Sequence, residues 1–169
     1  MSRRSNILAR SIRRWDLALI SVILVAAVAR LSWPGLYQLK WDEVRMLTAS
    51  LRLARYGEWT WLSNNTSWAN LPGHSPFNTY LISLPYFFTG DPRVPRLLIG
   101  VMGTLAAAVI YVLTRRYFGR SAALVAGLFI AADPHAVEWS SYVWNPNIAQ
   151  VFLALWLLTG LLGYYEGKP

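Results

Sequence analysis

Leu17–Trp33 reads LALISVILVAAVARLSW, an apolar run that is long enough to cross a bilayer and contains one charge, Arg30. Three further apolar stretches follow it at residues 94–113, 121–135 and 148–165. Repeated stretches of this length, separated by polar segments, are typical of membrane-spanning helices. The sequence therefore predicts an all-α fold, a polytopic membrane helical bundle with about four transmembrane spans.

The composition supports a membrane protein. Hydrophobic residues make up 55% of the chain and charged residues only 14%, well below the roughly 25% of soluble domains. Nine Trp and nine Tyr suit a chain with many membrane–water boundaries. The net charge of +8 comes largely from basic residues near the ends of apolar stretches, which indicates membrane lipids as partners and no nucleic acid. The absence of cysteine excludes disulfides and thiolate metal sites.

The basic residues also predict how the chain is oriented. Five arginines precede the first span, and three lie between the second and third, at Arg115, Arg116 and Arg120. Because cytoplasmic segments are enriched in Lys and Arg, both segments are predicted to lie inside the cell. We therefore expect a multi-pass protein of the cell envelope, in a bacterial plasma membrane, with its N-terminus in the cytoplasm. The alternative is a cleaved signal peptide ending near Ala27-Val28-Ala29.

This topology leaves two polar loops outside the cell, at residues 34–93 and 136–147. Within the first loop, residues 76–89 are apolar but shorter than the ~20 residues that a span needs, so we interpret them as an interfacial helix. A second interfacial helix is predicted from Asp42, as its N-cap, to Tyr56, with Gly57 as its C-terminal stop. Its apolar stripe is Val44, Leu47, Leu51 and Ala54, and its basic residues are Arg45, Arg52 and Arg55.

Asp42 and Glu43 are the main candidates for chemistry. A carboxylate at a membrane surface, surrounded by aromatic residues and arginines, is well placed to deprotonate a hydroxyl group beside a lipid-linked substrate. The structural alternative is that Asp42 only caps its helix and that Glu43 only favours the helix dipole.

Four more residues are candidates for substrate binding: Arg45, His74, Glu138 and Asn145. Arg45 and His74 would contact a phosphate, although Arg45 also suits a lipid headgroup and His74 an ordinary loop position. Glu138 and Asn145 would line the same cavity, or Asn145-Pro146-Asn147 would simply open the last span. Asp133 and His135 are too isolated to predict a metal site.

Several short motifs together resemble one family. They are Trp41-Asp42-Glu43-Val44-Arg45, Tyr56-Gly57-Glu58-Trp59, Gly73-His74-Ser75-Pro76-Phe77, Pro95-Arg96-Leu97, Arg115-Arg116-Tyr117-Phe118-Gly119, Ala132-Asp133-Pro134 and Tyr142-Val143-Trp144-Asn145-Pro146-Asn147. In this order and spacing the chain resembles the N-terminal third of polyprenyl-phosphate-sugar glycosyltransferases with the GT-C fold. That family includes the protein O-mannosyltransferases and the lipid A aminoarabinose transferases.

The resemblance implies roles for individual residues. Asp42 matches the family's catalytic acid in the first external loop, and Glu43 matches its neighbour. His74 falls where many members have a Lys or His that faces the lipid phosphate. Asn145 falls where several members carry a second acid, so the chain departs from the pattern there, and this puts a metal-assisted or two-carboxylate mechanism in doubt.

The resemblance also implies a function. We expect the N-terminal transmembrane module of an inverting glycosyltransferase, with no soluble cofactor. It would transfer a sugar from a polyprenyl-phosphate donor to an acceptor hydroxyl on the external face of the membrane, and the acceptor is left open as a glycan, a lipid or a protein. Members are several hundred residues long, so the chain is expected to be truncated and incomplete as an enzyme. The alternative is a small non-catalytic membrane scaffold, or a fragment that binds lipid-linked sugar without turnover.

Overall fold

The computed structural model describes residues 16–35, 38–60 and 76–167, and within them the chain forms seven α-helices and no strand. The helices are α1 (Leu17–Leu31), α2 (Trp41–Tyr56), α3 (Phe77–Tyr86), α4 (Arg93–Phe118), α5 (Arg120–Ala132), α6 (Pro134–Trp139) and α7 (Asn145–Glu166). The all-α prediction is confirmed for this part of the chain. The N-terminal arginines, at positions 3 to 14, lie outside the described residues.

The longest helix, α4, is the centre of the fold and packs against α1, α3, α5 and α7. Two helices are long and apolar enough to cross a membrane, Arg93–Phe118 and Pro146–Glu166. The other two apolar helices are shorter, with 15 residues in α1 and 13 in α5. The third predicted span ends early because Asp133 and Pro134 interrupt the helix.

Small residues allow α1, α4 and α5 to pack closely. Their shared core contains Ala18, Val22, Ala26, Ala107, Tyr111, Ala123 and Ala131. A methyl group added at Gly127 would lie 2.9 Å from Val22 Cγ2, so the α5 backbone approaches α1 as closely as only glycine permits. Close approach through small residues is the usual way that helices associate within membranes.

Charged residues gather at one end of these helices, which we call the basic end. Asp16 caps α1 by accepting from the Ala18 amide at 3.3 Å, and it also accepts from the Tyr111 hydroxyl at 2.6 Å. The same carboxylate forms an ion pair with Arg115 and lies 3.9 Å from Arg120. An ion pair between Arg116 and Glu166 joins α4 to α7 at this end. The basic end therefore holds four helices together through charge.

At the opposite end, Arg30 closes the bundle although it belongs to the apolar run of α1. Its guanidinium donates to the carbonyl oxygens of Ala131 at 2.7 Å and Ile130 at 2.8 Å, and to Ser140 Oγ at 3.3 Å. The last carbonyls of a helix have no partner within that helix. Arg30 thus satisfies the end of α5, and Asp133 starts α6 by accepting from the Ala136 amide at 2.7 Å.

Helices α2 and α3 form a layer against the start of α4 and α7. Met46 and Leu47 of α2 share a core with Ile82 and Tyr86 of α3, and the Ser50 hydroxyl donates to the Thr79 carbonyl at 3.1 Å. Residues 76–89 are thus helical over Phe77–Tyr86, as predicted.

Two predictions for α2 need correction, while its predicted stop at Gly57 is confirmed, with φ of 67°. The helix begins at Trp41 with Lys40 as the N-cap, so Asp42 lies in the first turn and is not the cap. The buried face consists of Glu43, Met46, Leu47, Ser50 and Leu53, and Val44 is exposed. The face is rotated from the predicted stripe because Glu43 and Ser50 find polar partners inside the protein.

Candidate functional site

Asp42 lies exposed on the first turn of α2. A carboxylate there interacts favourably with the partial positive charge of the helix N-terminus. Successive side chains on a helix point about 100° apart, so Asp42 and its neighbour Glu43 face different surroundings. Asp42 is therefore available to a molecule that binds from outside the bundle.

Glu43, in contrast, is 1% exposed and fully engaged. Its two oxygens accept from Arg96 Nε at 2.8 Å and from Arg96 Nη2 at 2.7 Å, and Oε1 also accepts from the Val143 amide at 2.9 Å. Arg96 in turn donates to the Pro34 carbonyl at 3.1 Å. Two-pronged pairs of this kind are the strongest ion pairs in proteins. Glu43 thus fixes the start of α2 to α4 and to the second loop.

A groove of about 410 Å³ runs along the outer side of α2. Trp41 and Trp59 flank it, and its polar lining includes Arg45, Arg52 and Glu58. The two tryptophans are 76% and 74% exposed, which is unusual for such large apolar rings. Further lining residues are Val44, Thr48, Ala49, Thr60 and Thr79.

Asp42 is not among the residues that line this groove, but the geometry of the helix places it close to one of them. Residues three apart on a helix are neighbours on its surface, which places Asp42 beside Arg45. At the far end, Arg52 lies 3.8 Å from Glu58, and both side chains are more than half exposed. The groove thus offers guanidinium groups, hydroxyl groups and aromatic rings beside one exposed carboxylate.

The second loop approaches the start of α2 from the other side. The Lys40 ammonium lies 3.7 Å from the centre of the Tyr142 ring and 3.9 Å from Glu138 Oε1. Tyr142 belongs to an aromatic cluster in which the ring centres of Trp139 and Trp144 are 5.2 Å apart. The two predicted external loops therefore meet at Lys40 and Glu43, the residues on either side of Asp42 in the sequence.

Tyr86 packs beneath this region and is buried. Burial raises the pKa of Tyr86 to about 12, with smaller contributions from the negative charges of Asp91 and Glu43. On the adjacent surface, hydrogen bonds from the Arg93 side chain and amide lower the pKa of Asp91.

Three of the six predicted site residues, Asp42, Glu43 and Arg45, lie on the first turns of α2, but Glu43 is buried on a different side of the helix from exposed Asp42. A fourth, Glu138, contacts Lys40, the residue that precedes this helix. Asn145 is the first residue of α7, which agrees with the alternative that Asn145-Pro146-Asn147 begins the last span. The structure does not describe its side chain. His74 lies outside the described residues altogether. Among the described residues, no group of three metal-ligating side chains was found.

Sequence reasoning missed Arg96 and Lys40. A signal for Arg96 existed, because a charge within the first turn of an apolar helix needs a partner. Its partner, Glu43, is 53 residues earlier in the chain, a separation that no local pattern encodes. Lys40 carries no comparable signal, since a lysine next to a helix start is ordinary.

Comparison with known proteins identifies the family. The family model described as dolichyl-phosphate-mannose-protein mannosyltransferase matches residues 73–166, which is more than half of the chain. No curated protein and no solved structure matched the chain. The match includes the second loop and three helices of the bundle, and the resemblance noted from the motifs is thereby confirmed. The chain belongs to the dolichyl-phosphate-mannose-protein mannosyltransferase family, whose members are membrane glycosyltransferases.

Proposed function

We propose that the protein transfers a sugar from a polyprenyl-phosphate donor to an acceptor hydroxyl at the external face of the cell membrane, with inversion at the anomeric carbon. One observation carries this proposal: Asp42 is exposed one helical turn from Arg45, which lines a groove together with Arg52, and its helix is paired with a helix long and apolar enough to cross a membrane. The family supplies the class of reaction, because its members are mannosyltransferases.

The distribution of charge supports the orientation that the proposal requires. Arg115, Arg116 and Arg120 all lie at the basic end, which the positive-inside rule assigns to the cytoplasm. Asp42 and the groove then lie on the external side, with α1, α4, α5 and α7 as four spans. Helices α1 and α5 are about 22 Å and 20 Å long, so residues that flank them complete their passage through a core of ~30 Å.

The groove suits the head of a lipid-linked sugar. Its volume of about 410 Å³ falls within the ~300–1,000 Å³ typical of small-molecule sites. Arg45 would contact the phosphate, since guanidinium groups bind phosphate oxygens through paired hydrogen bonds. The polyprenyl chain would remain in the bilayer next to α2. His74, which the family resemblance places at the same phosphate, is part of the proposal on that ground alone.

The reaction then requires a single base. An acceptor oxygen attacks the anomeric carbon, and its proton passes to the Asp42 carboxylate. The bond between the anomeric carbon and the phosphate oxygen breaks on the opposite face, and polyprenyl phosphate leaves with the electron pair. Arg45 stabilises the negative charge that develops on the phosphate. Attack opposite the leaving group inverts the anomeric carbon.

Glu43 has a different role in this proposal. A carboxylate that is buried and held by Arg96 and the Val143 amide has no free approach to a substrate. We therefore assign Glu43 to positioning: it sets the first turn of α2, and hence Asp42, relative to the second loop.

The test is transfer of radiolabelled mannose from polyprenyl-phosphate mannose in membranes that contain the protein, normalised to protein amount. Asp42→Asn keeps the size of the side chain but cannot accept a proton, so transfer should fall by about 10²–10⁴-fold. Asp91→Asn is the matched control, because Asp91 is a surface acid outside the groove. An Asp42→Asn protein with normal transfer would exclude Asp42 as the base. Donor binding without transfer by the wild-type protein would favour the non-catalytic alternative.

A further inference from the structure

Lys40, the residue that precedes α2, has no part in the reaction described above, yet its side chain makes two contacts with the second loop. Its ammonium lies 3.7 Å from the centre of the Tyr142 ring and 3.9 Å from Glu138 Oε1. A cation this close to an aromatic ring is attracted by the negative charge on the face of the ring. Lys40 also closes the first turn of α2, because its carbonyl oxygen accepts from the Val44 amide at 3.0 Å.

The ring that Lys40 contacts is a fixed point of the second loop. Tyr142 is buried, and its ring centre lies 6.4 Å from those of Trp139 and Trp144. Its carbonyl oxygen accepts from the Asn147 side-chain amide at 2.9 Å, which joins the loop to the first turn of α7. A buried side chain that packs on several others has little room to move. Lys40 is therefore attached to a rigid part of the second loop.

Glu43 provides a second attachment of the same helical turn to the same loop. Its carboxylate accepts from the amide of Val143, the residue next to Tyr142. On an ideal helix the side chains of Lys40 and Glu43 point about 60° apart, which explains why both reach one loop. Asp42 points about 100° from Glu43 and about 160° from Lys40, so it faces away from the loop and is exposed.

The two attachments lie on either side of Asp42 in the sequence and hold different parts of the turn. Glu43 holds the buried side of the turn. Lys40 holds its N-terminal end, where no side chain caps α2. Because helix ends fray and their first amides lack partners within the helix, a contact at this end has most effect on the first residues of α2.

Stability alone does not explain the contacts of Lys40. The side chains of Lys40 and Glu138 are 51% and 43% exposed, and ion pairs of this kind contribute little to the free energy of unfolding. Loss of the Lys40 charge should therefore change the position of the first turn of α2 more than the stability of the fold.

We propose that Lys40 is a positioning residue: by fixing the uncapped start of α2 to the second loop, it holds Asp42 where the carboxylate can accept the proton of the acceptor hydroxyl. This role rests on the proposed function, in which Asp42 is the base. A base must lie within hydrogen-bond reach of the hydroxyl group, at about 2.6–3.2 Å. A misplacement of ~1 Å can lower a rate by about 10²-fold, so a loose first turn would slow transfer.

The position of Asp42 can be tested without any measurement of transfer. The native chain has no cysteine, so Asp42→Cys in the full chain accepts a single spin label, whose mobility is read by electron paramagnetic resonance in nanodiscs. Adding Lys40→Met, which keeps an unbranched side chain but removes the charge, should shift the spectrum toward a more mobile label. Lys40→Arg keeps the charge and should leave the spectrum unchanged. Arg93→Met is the matched control, because Arg93 belongs to an exposed ion pair outside the groove.

The transfer assay gives a second readout, with Asp42 intact. Lys40→Met should lower kcat by about 10- to 100-fold and leave both the KM for polyprenyl-phosphate mannose and the unfolding midpoint nearly unchanged. Lys40→Arg should recover most of the rate. The inference is overturned if Lys40→Met matches the Arg93→Met control in label mobility or in kcat. It is also overturned if Lys40→Met raises KM alone, which indicates direct contact with substrate, or lowers the unfolding midpoint as much as kcat, which indicates a structural role.

Failure of this inference differs from failure of the proposed reaction. If the wild-type protein transfers no sugar, the reaction is excluded, while label mobility that depends on Lys40 still supports the attachment of α2 to the second loop. Transfer that depends on Asp42 but not on Lys40 would keep the reaction and remove the positioning role.

Discussion

The guanidinium of Arg96 and the carboxylate of Glu43 meet in a two-pronged pair at 2.8 and 2.7 Å, where Arg96 is 4% exposed. Their helices are separated in sequence by residues 57–92, yet the pair fixes the first turn of α2 against the first turn of α4. Because the Val143 amide joins the same carboxylate, three segments of the chain converge on one buried charge.

Breaking this pair should destabilise the protein strongly. Glu43→Gln removes the carboxylate that forms the two-pronged pair with buried Arg96, and breaking a buried ion pair typically costs about 3–5 kcal/mol of unfolding free energy. A double variant, Glu43→Met with Arg96→Met, should lose less than the sum of the two single changes, because neither charge is then left alone. The unfolding free energy of all three variants is measured in detergent, with the loss of the helical circular dichroism signal as the readout. Asp91→Asn, at a surface ion pair, is the control and should change little. Additive losses would show that the pair is not coupled.

Close packing at Gly103 gives a second prediction. A Cβ at Gly103 would clash with Ser140 Oγ and lie 2.9 Å from Ser140 Cβ, and rotation of the serine cannot relieve the second contact. Gly103→Ala should therefore lower stability by about 1–3 kcal/mol, the usual cost of overpacking. At Gly160 in α7, nothing lies within 4 Å of an added Cβ. Gly160→Ala should be neutral or slightly stabilising in the same thermal unfolding assay, because alanine favours helix. Equal effects of the two changes would contradict the close approach of α4 to Ser140.

The raised pKa of Tyr86 predicts how the stability of the fold changes at alkaline pH. Its pKa is raised from an ordinary value near 10 to about 12, so the folded state keeps its proton in a range where the unfolded state loses it. The contribution of neutral Tyr86 is complete below about pH 10 and is lost as the pH rises through the raised pKa. The unfolding midpoint should therefore fall between pH ~10 and 12, and Tyr86→Phe should reduce that fall. Tyr164→Phe, at an exposed tyrosine, is the control. The prediction is wrong if the unfolding midpoints of Tyr86→Phe and the wild type fall equally over this pH range.

Single cysteines test the membrane orientation, since the native chain has none. Cysteine at position 42 or 138 should react with an impermeant maleimide added to intact cells, because both positions are expected to be external. Cysteine at position 120, where Arg120 is exposed at the basic end, should react only after the cells are permeabilised. Labelling of position 120 in intact cells would reverse the proposed topology.

Local sequence patterns predicted six of the seven described helices, because a helix depends on the length of an apolar run and on the residues that end it; α6 (Pro134–Trp139) lies largely where a loop was predicted. Gly57 ended α2 as predicted, and Asp133-Pro134 ended α5 earlier than the apolar composition alone suggested. The buried face of α2 was misplaced, because a search for apolar side chains assigns Glu43 to the surface. Its burial depends on Arg96, and periodicity within one helix carries no information about a partner in another. The candidate residues on α2 were proposed from the local sequence, whereas the contact of Lys40 with the second loop required the structure.

Helix α1 is held at both ends by contacts with residues far along the chain. These contacts can therefore form only late in synthesis. Asp16 contacts Tyr111 and Arg115, and Arg30 contacts Ile130, Ala131 and Ser140. These partners lie about a hundred residues later in the chain, so they are synthesised after α1. At ~5–20 residues per second, the ribosome needs roughly 5–20 s to supply those partners. During that interval Asp16 keeps only its cap on α1 and Arg30 only its contact with the Ala26 carbonyl. We therefore expect water or lipid headgroups to solvate both charges until α4, α5 and α6 have been synthesised.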